Sequence, residues 1–460
     1  MDTQDIVELE SAVECVRHRP ADGEAQPEPP FYDERYSPPA HRVKLLETLN
    51  PSKRDLDIRF LAAPHIYLVN NQPIEISVTS VVGAFMSRFD PDKIITMMAR
   101  GTREAWPRLK YAHDAHTYDD TPCKPGRCTL LVNVDNDKTL WTGVAPEECD
   151  VAWALSVCSK RDKAVRRVKW YHYERAMSAE EIKLEWQRNG TRAGNMGTEC
   201  HLLMELWSNS EPVRRCPEMQ NGLTFVRDVL VPLGVKAFRT EWEVYTDEAI
   251  GVAGSIDWVG QFPDGSLIIV DWKRTGADKH DVHDRWGKQM LPPLSHLDET
   301  DICKFALQLS MYAYILSEFY GYKIRALALC SIHPDHKFHT FVPYLDKEVK
   351  FLCARRRARV AAKLCMERDI ADLPRCSISG RVAWEPVRVD GILCDAKYAA
   401  WRYDDKEATR DDEACARIAT AEAAMHFAPS AEELQLTYAD PWKMRIPAEG
   451  WSAFTPCGGA

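Results

Sequence analysis

The sequence predicts an α/β fold in which a central mixed β-sheet is flanked by helices. Two observations carry this prediction. Strand-like apolar runs alternate with strongly periodic helical ones, and the turn Pro263-Asp264-Gly265 joins two of the strand runs as a hairpin. The predicted strands are 240–245, 251–261, 266–273, 323–332 and 338–342, and the predicted helices are 302–320 and 346–367.

The chain is expected to carry extensions on both sides of this core. Composition suggests a disordered, acidic, Pro-rich tail over 1–50. A hairpin and helical region follows over 51–176, with a loop-rich insertion at 113–150. The core is predicted over 177–345. A basic helix then leads into an acidic, mostly irregular C-terminal extension over 346–460.

Local signals define the elements before the core. HIYLVNNQPIEISV predicts two short strands around the turn Asn70-Asn71. The stretch 77–99 looks helical, with a break before Pro91 and a new start there. Two helical segments are predicted over 177–207. A capping box at Ser178-Ala179-Glu180-Glu181 begins the first, and the second begins near Gly194.

The formal net charge of −10 argues at first against a nucleic-acid binder. The negative charge is not evenly spread, however. Residues 1–50 hold 11 acidic and 5 basic side chains, and residues 401–460 hold 11 and 6. The stretch 51–400 therefore holds 47 acidic and 48 basic side chains, so the body of the protein is neutral.

Two basic runs lie within this neutral body, at 160–169 and 355–359. Each is predicted to lie on a helix. Two interpretations remain open for them: a solvated helix face, or contact with a polyanion such as nucleic acid. The run 160–169 could also be a nuclear targeting signal.

Fifteen cysteines allow several interpretations. The N-terminus MDTQDIVELE lacks a basic segment followed by an apolar one, so no secretory signal is expected. Only Cys123 and Cys128 are close enough to suggest a metal pair, and no matching pair follows. Reduced thiols in a core are therefore expected, in an intracellular, reducing compartment. No apolar run is long enough to span a membrane, so no membrane partner is expected.

The stretch GVAGSIDWVGQFPDGSLIIVDWKRTG carries the chemistry. Asp271 and Lys273 are two residues apart at a strand end, so they project to the same side. The hairpin can bring Asp257 beside them. Two carboxylates and a lysine that converge favour a site for a hard divalent cation, provided that the carboxylates lie within about 8 Å of each other. A D-x-K alone is more often a surface salt bridge.

Two further motifs flank the hairpin: Gly197-x-x-x-His201 on the preceding helix, and Gln308-x-x-x-Tyr312 on the following one. In order, G-x-x-x-H, T-E-W, G-S-I-D, D-W-K and Q-x-x-x-Y resemble the PD-(D/E)xK nuclease superfamily. The similarity is greatest to its RecB-like exonuclease branch, which includes relatives from phages and large DNA viruses. The resemblance covers roughly residues 175–345 and implies a restriction-endonuclease-like core.

The resemblance also implies roles for individual residues. The metal ligands would be His201, Asp257 and Asp271, with the Trp272 carbonyl as a further ligand. The catalytic residues would be Lys273, Asp271, Asp257 and Glu241. The residues that line the DNA path would be Gln308 and Tyr312. Each position also has a structural interpretation: a histidine or tyrosine on an apolar helix is usually core, and a strand glutamate such as Glu241 or Glu243 is usually solvated. Glu205 could support the histidine or face water.

The implied activity is hydrolysis of DNA phosphodiester bonds with Mg²⁺ or Mn²⁺, as an exonuclease on ends or single strands. Two alternatives remain open: an RNA endonuclease of the same fold, and a catalytically silent nucleic-acid-binding or interaction module. Because Cys365, Cys376 and Cys394 are widely spaced, no iron–sulfur cluster is expected. No P-loop motif is present, so any helicase partner would be a separate chain.

Overall fold

The computed structural model describes residues 44–62, 65–117, 126–211, 213, 216–275, 283–284, 287–336, 338–403 and 406–423. These residues form a mixed α/β protein with four β-sheets. The chain divides into two compact units, one made of 1–87 together with 195–460 and the other of 88–194. Among the residues described, no helix is both long and apolar enough to cross a membrane.

The helices and strands are numbered here in chain order. The first group is α1 (Leu45–Leu49), β1 (Ile58–Leu61), β2 (Ile66–Val69), β3 (Gln72–Pro73), β4 (Ile76–Ser77) and α2 (Val78–Gly83). The second is α3 (Pro91–Ala99), β5 (His116–Thr117), β6 (Cys128–Asn133), β7 (Thr139–Val144), α4 (Val151–Ser159), β8 (Val168–His172) and α5 (Ala179–Ser208).

The remaining elements form the rest of the larger unit. They are α6 (Pro217–Phe225), β9 (Lys236–Tyr245), β10 (Val252–Gln261), β11 (Leu267–Lys273), α7 (Asp301–Tyr320), β12 (Ile324–Ser331), β13 (His339–Phe341) and α8 (Asp346–Asp369). After them come β14 (Pro386–Val389), β15 (Ile392–Asp395), α9 (Ala396–Arg402), β16 (Thr409–Arg410) and α10 (Asp412–Ala423).

The largest sheet has six strands, with β13, β12, β11, β10 and β4 in one path and β9 paired to the other edge of β10. Strands β11 and β12 are parallel, whereas β10 is antiparallel to both β9 and β11. The hairpin ladder between β10 and β11 runs from Gln261↔Leu267 to Trp258↔Val270. Asp257 and Asp271 are the next residues along, at the point where these two strands begin to separate.

Successive side chains of each strand point to opposite faces of this sheet, and apolar side chains form a core on each face. On one face Val259 and Ile269 pack with Leu309 of α7. On the other, Trp258 and Val270 pack in a separate cluster that also receives side chains of α5 and α6. Because β11 is buried on both faces, its apolar run is nearly continuous rather than alternating. Asp257 in the middle of β10 and the polar end of β11 are therefore held by well-packed strands.

Several predicted elements are confirmed. Strands β2 and β3 pair across Asn70 and Asn71, whose φ angles of 52° and 61° suit a tight hairpin turn. Helix α3 begins at Pro91, after an Asp90 side chain that accepts a hydrogen bond from the Lys93 amide. The turn at Gly265, with a φ of 81°, joins β10 to β11.

The prediction of two helical segments over 177–207 is wrong, because α5 is one helix of 30 residues. The capping box is present: the Ser178 amide donates to the Glu181 carboxylate, and the Glu181 amide donates to the Ser178 hydroxyl. A glycine inside a helix costs about 1 kcal/mol relative to alanine, which does not end a helix that packing fixes elsewhere. Ile182 and Trp207, near its two ends, are both buried.

The stretch predicted as a loop-rich insertion contains most of a four-stranded antiparallel sheet, in the order β5-β8-β6-β7. The basic run 160–169 is not helical: α4 ends at Ser159 and β8 begins at Val168. The core on one side of this sheet includes Trp153 stacked on Trp170, with ring centroids 6.1 Å apart. The helix prediction for this run was wrong: most of it connects α4 to β8, and Lys169 is its one charged residue inside the strand.

The C-terminal extension is less irregular than predicted. Strands β14, β15 and β16 form a small sheet, and α9 packs on it around Cys376, Val389, Cys394 and Tyr398. Residues 424–460 lie outside the described part of the chain, as does most of the predicted N-terminal tail, 1–43. The last residues of that predicted tail form α1.

The cysteines of the described residues fall into two groups. Eleven carry free thiols, and most of these are buried, in agreement with their expected use as small core side chains. Cys149 is disulfide-bonded, which differs from the expectation of reduced thiols throughout.

Candidate metal centre

Three elements of the larger unit converge where β10 leaves β11. Asp257 lies on β10, Glu241 on the neighbouring strand β9, and His201 on α5. One potential ligand atom of each lies within 4.8 Å of those of the other two. Two carboxylates and an imidazole at this spacing can bind one divalent cation.

The imidazole of His201 is oriented by the backbone. Its Nε2 donates a hydrogen bond to the Trp272 carbonyl oxygen at 2.7 Å, so in the neutral ring the lone pair is on Nδ1. That Nδ1 lies 3.6 Å from Oδ2 of Asp257. Burial, together with the positive charge of Lys273, lowers the pKa of His201 to about 4. The ring is therefore neutral at pH 7, as a metal ligand must be.

The backbone of Trp272 is held from both sides. Its amide donates a hydrogen bond of 2.9 Å to Oδ2 of Asp257, while its carbonyl accepts the bond from His201. The Trp272 carbonyl, predicted as a metal ligand, thus orients the histidine. Its indole is buried on the opposite face of β11 and packs against Trp258, with ring centroids 6.2 Å apart.

Asp271 and Lys273 form the second half of the site. The Lys273 Nζ lies 2.7 Å from Oδ2 of Asp271, and Asp271 also shares a side-chain hydrogen bond with Asp257. Burial raises the pKa of both carboxyls, that of Asp271 to about 6. Burial alone would lower the pKa of Lys273, but the charges of Asp271 and Asp257 raise it instead. The two carboxyls are thus hydrogen-bonded neighbours, but the predicted ligand Asp271 is turned towards the lysine and is not among the three ligand residues that converge.

Glu241 reaches the cluster through an unusual backbone conformation. Its φ is 42°, which a side chain other than glycine rarely adopts, least of all inside a β-strand. The flanking residues Thr240 and Trp242 pair normally with Trp258 and Ile256, so the irregularity is confined to one position. Oε2 of Glu241 accepts a hydrogen bond of 3.2 Å from the Ser255 hydroxyl. Backbone strain of this kind concentrates at functional sites.

Gln308 and Tyr312 both lie on α7 and are hydrogen-bonded to each other. The hydroxyl of Tyr312 is close enough to Asp257 and Asp271 for their charges to raise its pKa, after burial, which is the larger cause. Only 8% of Gln308 and 3% of Tyr312 is exposed. Their predicted role in lining a DNA path is untested, and their burial favours a role in positioning the carboxylates.

Tyr67, on β2, is a neighbour of the site that the sequence analysis missed. Its hydroxyl accepts a hydrogen bond from the Ser255 amide, and its pKa is raised by burial and by the charges of Glu243, Glu241 and Asp257. The signal available in the sequence was its position in HIYL, a short strand that precedes the core. Only the pairing of distant strands brings it to the carboxylates.

The sequence left the roles of two glutamates undecided, and both have surroundings that favour a structural role. Glu243 accepts a hydrogen bond from the Phe60 amide of β1, and burial raises its pKa. Glu205 is buried, with 4% of the residue exposed, so it does not face water. Neither belongs to the three ligand residues that converge.

Several arginines of the two basic runs bind groups of the chain itself. On α8, Arg356 pairs with Glu75, Arg357 with Asp247 and Arg359 with Glu422. In the other run, Arg161 donates to the Gly101 carbonyl and Arg167 pairs with Asp135. Most of the arginines on α8 are therefore paired, which favours the structural interpretation of that run, whereas Lys160, Lys163 and Lys169 of the other run are exposed.

Comparison with known proteins adds little to this geometry. No family model and no curated protein matches the chain. Among solved structures, one described as "Crystal structure of SSO0001" is 14% identical over 42% of this chain and 78% of that chain, with a TM-score of 0.19. A similarity at this level carries no argument about fold or function.

Proposed function

We propose that this chain is a metal-dependent nuclease that hydrolyses phosphodiester bonds of DNA, built on a PD-(D/E)xK core of the RecB-like type. The observation that carries the proposal is the convergence of His201, Glu241 and Asp257 beside the Asp271–Lys273 pair. The strand order supports it as well: an antiparallel hairpin that carries both aspartates, followed through a helix by a parallel strand, suits a restriction-endonuclease-like core.

The donor set fits a hard or borderline divalent cation such as Mg²⁺ or Mn²⁺. His201 Nδ1 and the carboxylates of Glu241 and Asp257 would hold the ion, with Asp271 able to join from the side of Lys273. Such an ion polarises a phosphodiester and lowers the pKa of water. In this chain the neutral His201 needs no deprotonation to bind it, because burial already keeps the ring uncharged.

Lys273 supplies the remaining chemistry. Its side chain is 22% exposed, so Lys273 is largely recessed. Asp271 fixes it at one end of the carboxylate cluster, where its hydrogen bonds can orient an attacking water or offset negative charge that develops on a phosphate. The raised pKa of Lys273 keeps it charged at neutral pH, so it acts as a hydrogen-bond donor rather than as a base.

DNA, as ends or single strands, is the proposed substrate because the order of motifs resembles DNA exonucleases. An RNA endonuclease of the same fold would use the same ligands. A catalytically silent module would have no need for a neutral buried histidine beside two carboxylates and a lysine. That set favours an enzyme over a binding module.

The test is cleavage of labelled single- and double-stranded DNA and RNA by the full chain with Mg²⁺, Mn²⁺ or EDTA. We expect metal-dependent cleavage of DNA, a loss of at least about 100-fold in Lys273→Ala, and full activity in Lys350→Ala, whose lysine pairs with Asp346 on the surface of α8. Mononucleotide release would indicate an exonuclease, and internal cuts an endonuclease.

Metal binding is measured separately. Mn²⁺ titrated into wild type and Lys273→Ala should bind equally, whereas Asp257→Asn should bind at least about tenfold more weakly, since it removes a charged ligand. Equal cleavage by wild type and Lys273→Ala would overturn the assignment. Metal binding without cleavage of any substrate would favour the silent module instead.

A further inference from the structure

A cavity of about 550 Å³ opens beside the first residues of β10, whereas Asp257 of the candidate metal centre lies in the middle of that strand. It is bounded by β3, the turn between β9 and β10, α8, and the C-terminal segment around α9. Gly251 lies on its wall, six residues before Asp257, which at about 3.3 Å per strand residue places the two sites roughly 20 Å apart. Its volume is in the range of small-molecule sites.

Positive charge is in excess beside this cavity. Glu75, on the wall, is bound by two cations: Arg356 Nη2 lies 3.1 Å from one carboxylate oxygen, and Lys363 Nζ lies 3.1 Å from the other. The two cations leave one positive charge uncompensated. Lys397 lines the cavity too, and it forms no ion pair with any described residue.

The other charged groups around the cavity do not cancel this excess. Arg381 pairs with Glu367, and Asp247 pairs with Arg357, so each of these pairs is neutral. The guanidinium of Arg54, also on the wall, stacks on the Tyr245 ring and donates to backbone carbonyls. Glu248 is exposed, and its charge is solvated.

The excess has an energetic consequence. Arg356 and Lys363 are largely withdrawn from water, with side-chain exposures of 12% and 11%. Partly buried charge without a counter-charge is unfavourable, and an anion in the cavity would offset it. Burial also lowers the pKa of Arg356, in agreement with a cation that lacks full compensation.

Aromatic rings line the same space. Trp384 and Tyr398 both face the cavity, and each carries a lysine nearby: Lys363 Nζ lies 4.8 Å from the Trp384 ring centroid, and Lys397 Nζ lies 5.6 Å from that of Tyr398. Flat rings beside cations suit a ligand that combines a planar heterocycle with an anionic group.

We propose that this cavity binds a nucleoside monophosphate, with the phosphate between Lys363 and Lys397 and the base against Trp384. The ligand is a dianion with a planar ring, which matches both the charge excess and the aromatic wall. This is a second site, separate from the metal centre, and it does not depend on the proposed nuclease activity.

The test is isothermal titration calorimetry of the full chain with deoxyadenosine monophosphate in EDTA, with inorganic phosphate and deoxyadenosine as separate titrants. We expect one saturable site for the nucleotide and binding of each fragment at least about tenfold weaker. Lys397→Gln and Trp384→Leu should each weaken nucleotide binding about tenfold, roughly the worth of one charge-assisted hydrogen bond or one stacked base. Lys350→Gln, a surface lysine outside the cavity, should leave binding unchanged.

Three results would overturn the proposal. One is the absence of nucleotide binding at millimolar concentrations to folded protein. Another is equal affinity for nucleotide and inorganic phosphate, which would leave the aromatic wall without a role. The third is binding that is absent in EDTA, appears in a repeat titration with Mn²⁺ and disappears in Asp257→Asn, because the nucleotide would then occupy the metal centre. Thermal melts of Lys397→Gln and Trp384→Leu distinguish lost contacts from lost folding.

Discussion

Glu241 has a φ of 42° in the middle of a strand, a conformation that costs a residue with a Cβ about 1–3 kcal/mol. This conformation brings the Glu241 carboxylate within 4.8 Å of ligand atoms of His201 and Asp257. A strand in regular geometry would pair Glu241 directly with Asp257 across the ladder. At the scale of the residue, the site is built at the expense of local stability.

Replacing Glu241 with glycine therefore separates strain from ligation. Glu241→Gly and Glu241→Gln both remove the carboxylate, but only glycine accepts the positive φ without strain. We expect Glu241→Gly to be more stable than Glu241→Gln by about 1 kcal/mol in urea unfolding with EDTA present. Both variants should bind Mn²⁺ more weakly than wild type. Equal stability of the two would show that the backbone is not strained.

Gly254 makes a second prediction at this scale. A Cβ at this position would lie 2.7 Å from Cε1 of Tyr312 and 2.9 Å from its hydroxyl oxygen. The ring is buried and cannot withdraw easily, so Gly254→Ala should destabilise the fold by about 1–3 kcal/mol. The matched control is Gly197→Ala, on α5, where no atom lies within 4 Å and alanine should stabilise the helix by up to about 1 kcal/mol. Urea midpoints compare the two, and a Gly254→Ala midpoint at or above wild type would contradict the packing described.

Helix α8 shows how one element can contain a basic run that is not a binding face. Arg356 is largely buried and bound to Glu75, whereas Arg355 forms no ion pair among the residues described. Arg356→Gln should thus destabilise the protein by about 1–3 kcal/mol, because it removes a charged hydrogen-bond partner of Glu75 while Lys363 still neutralises that carboxylate. Arg355→Gln should stay within about 0.5 kcal/mol of wild type. Thermal unfolding at equal pH compares the two variants. Similar unfolding free energies for both would indicate that the whole run is a solvated helix face.

The same element predicts a dependence of stability on pH. Burial tends to raise the pKa of Glu75, but Arg356 and Lys363 outweigh it, and the pKa lies below its usual 4.5. A carboxyl with a depressed pKa contributes stability that is present above about pH 4.5 and is lost as the pH falls through the folded-state value. We expect wild type to lose more stability than Glu75→Gln between pH 5 and pH 3, as followed by urea unfolding. Parallel curves would contradict this.

The elements that the sequence predicted well are those in which periodicity and a turn signal agree. Helix α7 and the β10–β11 hairpin are examples, since an apolar stripe and the turn at Gly265 each point to one structure. In the sheet of β5 to β8 the sequence predicted one strand-like run, 129–132, which lies in β6, and the other strands were missed because they are short and lie between turn residues and charges. The break predicted in α5 is absent, because the low helix propensity of glycine is a weak effect compared with tertiary packing.

The site was predictable only in part. Spacing along β11 placed Asp271 and Lys273 on one side, and the order of motifs singled out His201, Asp257 and Glu241. The convergence of Glu241 with His201, in place of Asp271, depends on a single backbone angle that no sequence pattern encodes. Tyr67 approaches through β2, roughly 190 residues before Asp257, so local patterns could not reveal it.

At the scale of the whole molecule, the carboxylate cluster makes stability depend on the metal. Glu241, Asp257 and Asp271 repel one another in the metal-free protein, and a bound divalent cation removes that repulsion. Mn²⁺ at about 100 times its dissociation constant should raise the unfolding free energy by about 2.7 kcal/mol, and EDTA should reverse the change. Thermal melts of wild type and Asp257→Asn at the same Mn²⁺ concentration test this, and the variant, which binds at least about tenfold more weakly, should be stabilised by no more than about 1.4 kcal/mol. An equal shift in both would place the ion elsewhere.

The two backbone hydrogen bonds of Trp272 explain why the middle position of the D-x-K motif can vary. Between the two charged letters of D-x-K, the chain contributes only an amide and a carbonyl, and every amino acid except proline supplies both. The side chain at that position packs in a separate core on the other face of the sheet. Its identity is therefore constrained by packing and not by the chemistry of the site. A search for proteins with this kind of centre should therefore leave the middle letter open, forbidding only proline, and ask instead whether a histidine on a neighbouring helix can reach its carbonyl.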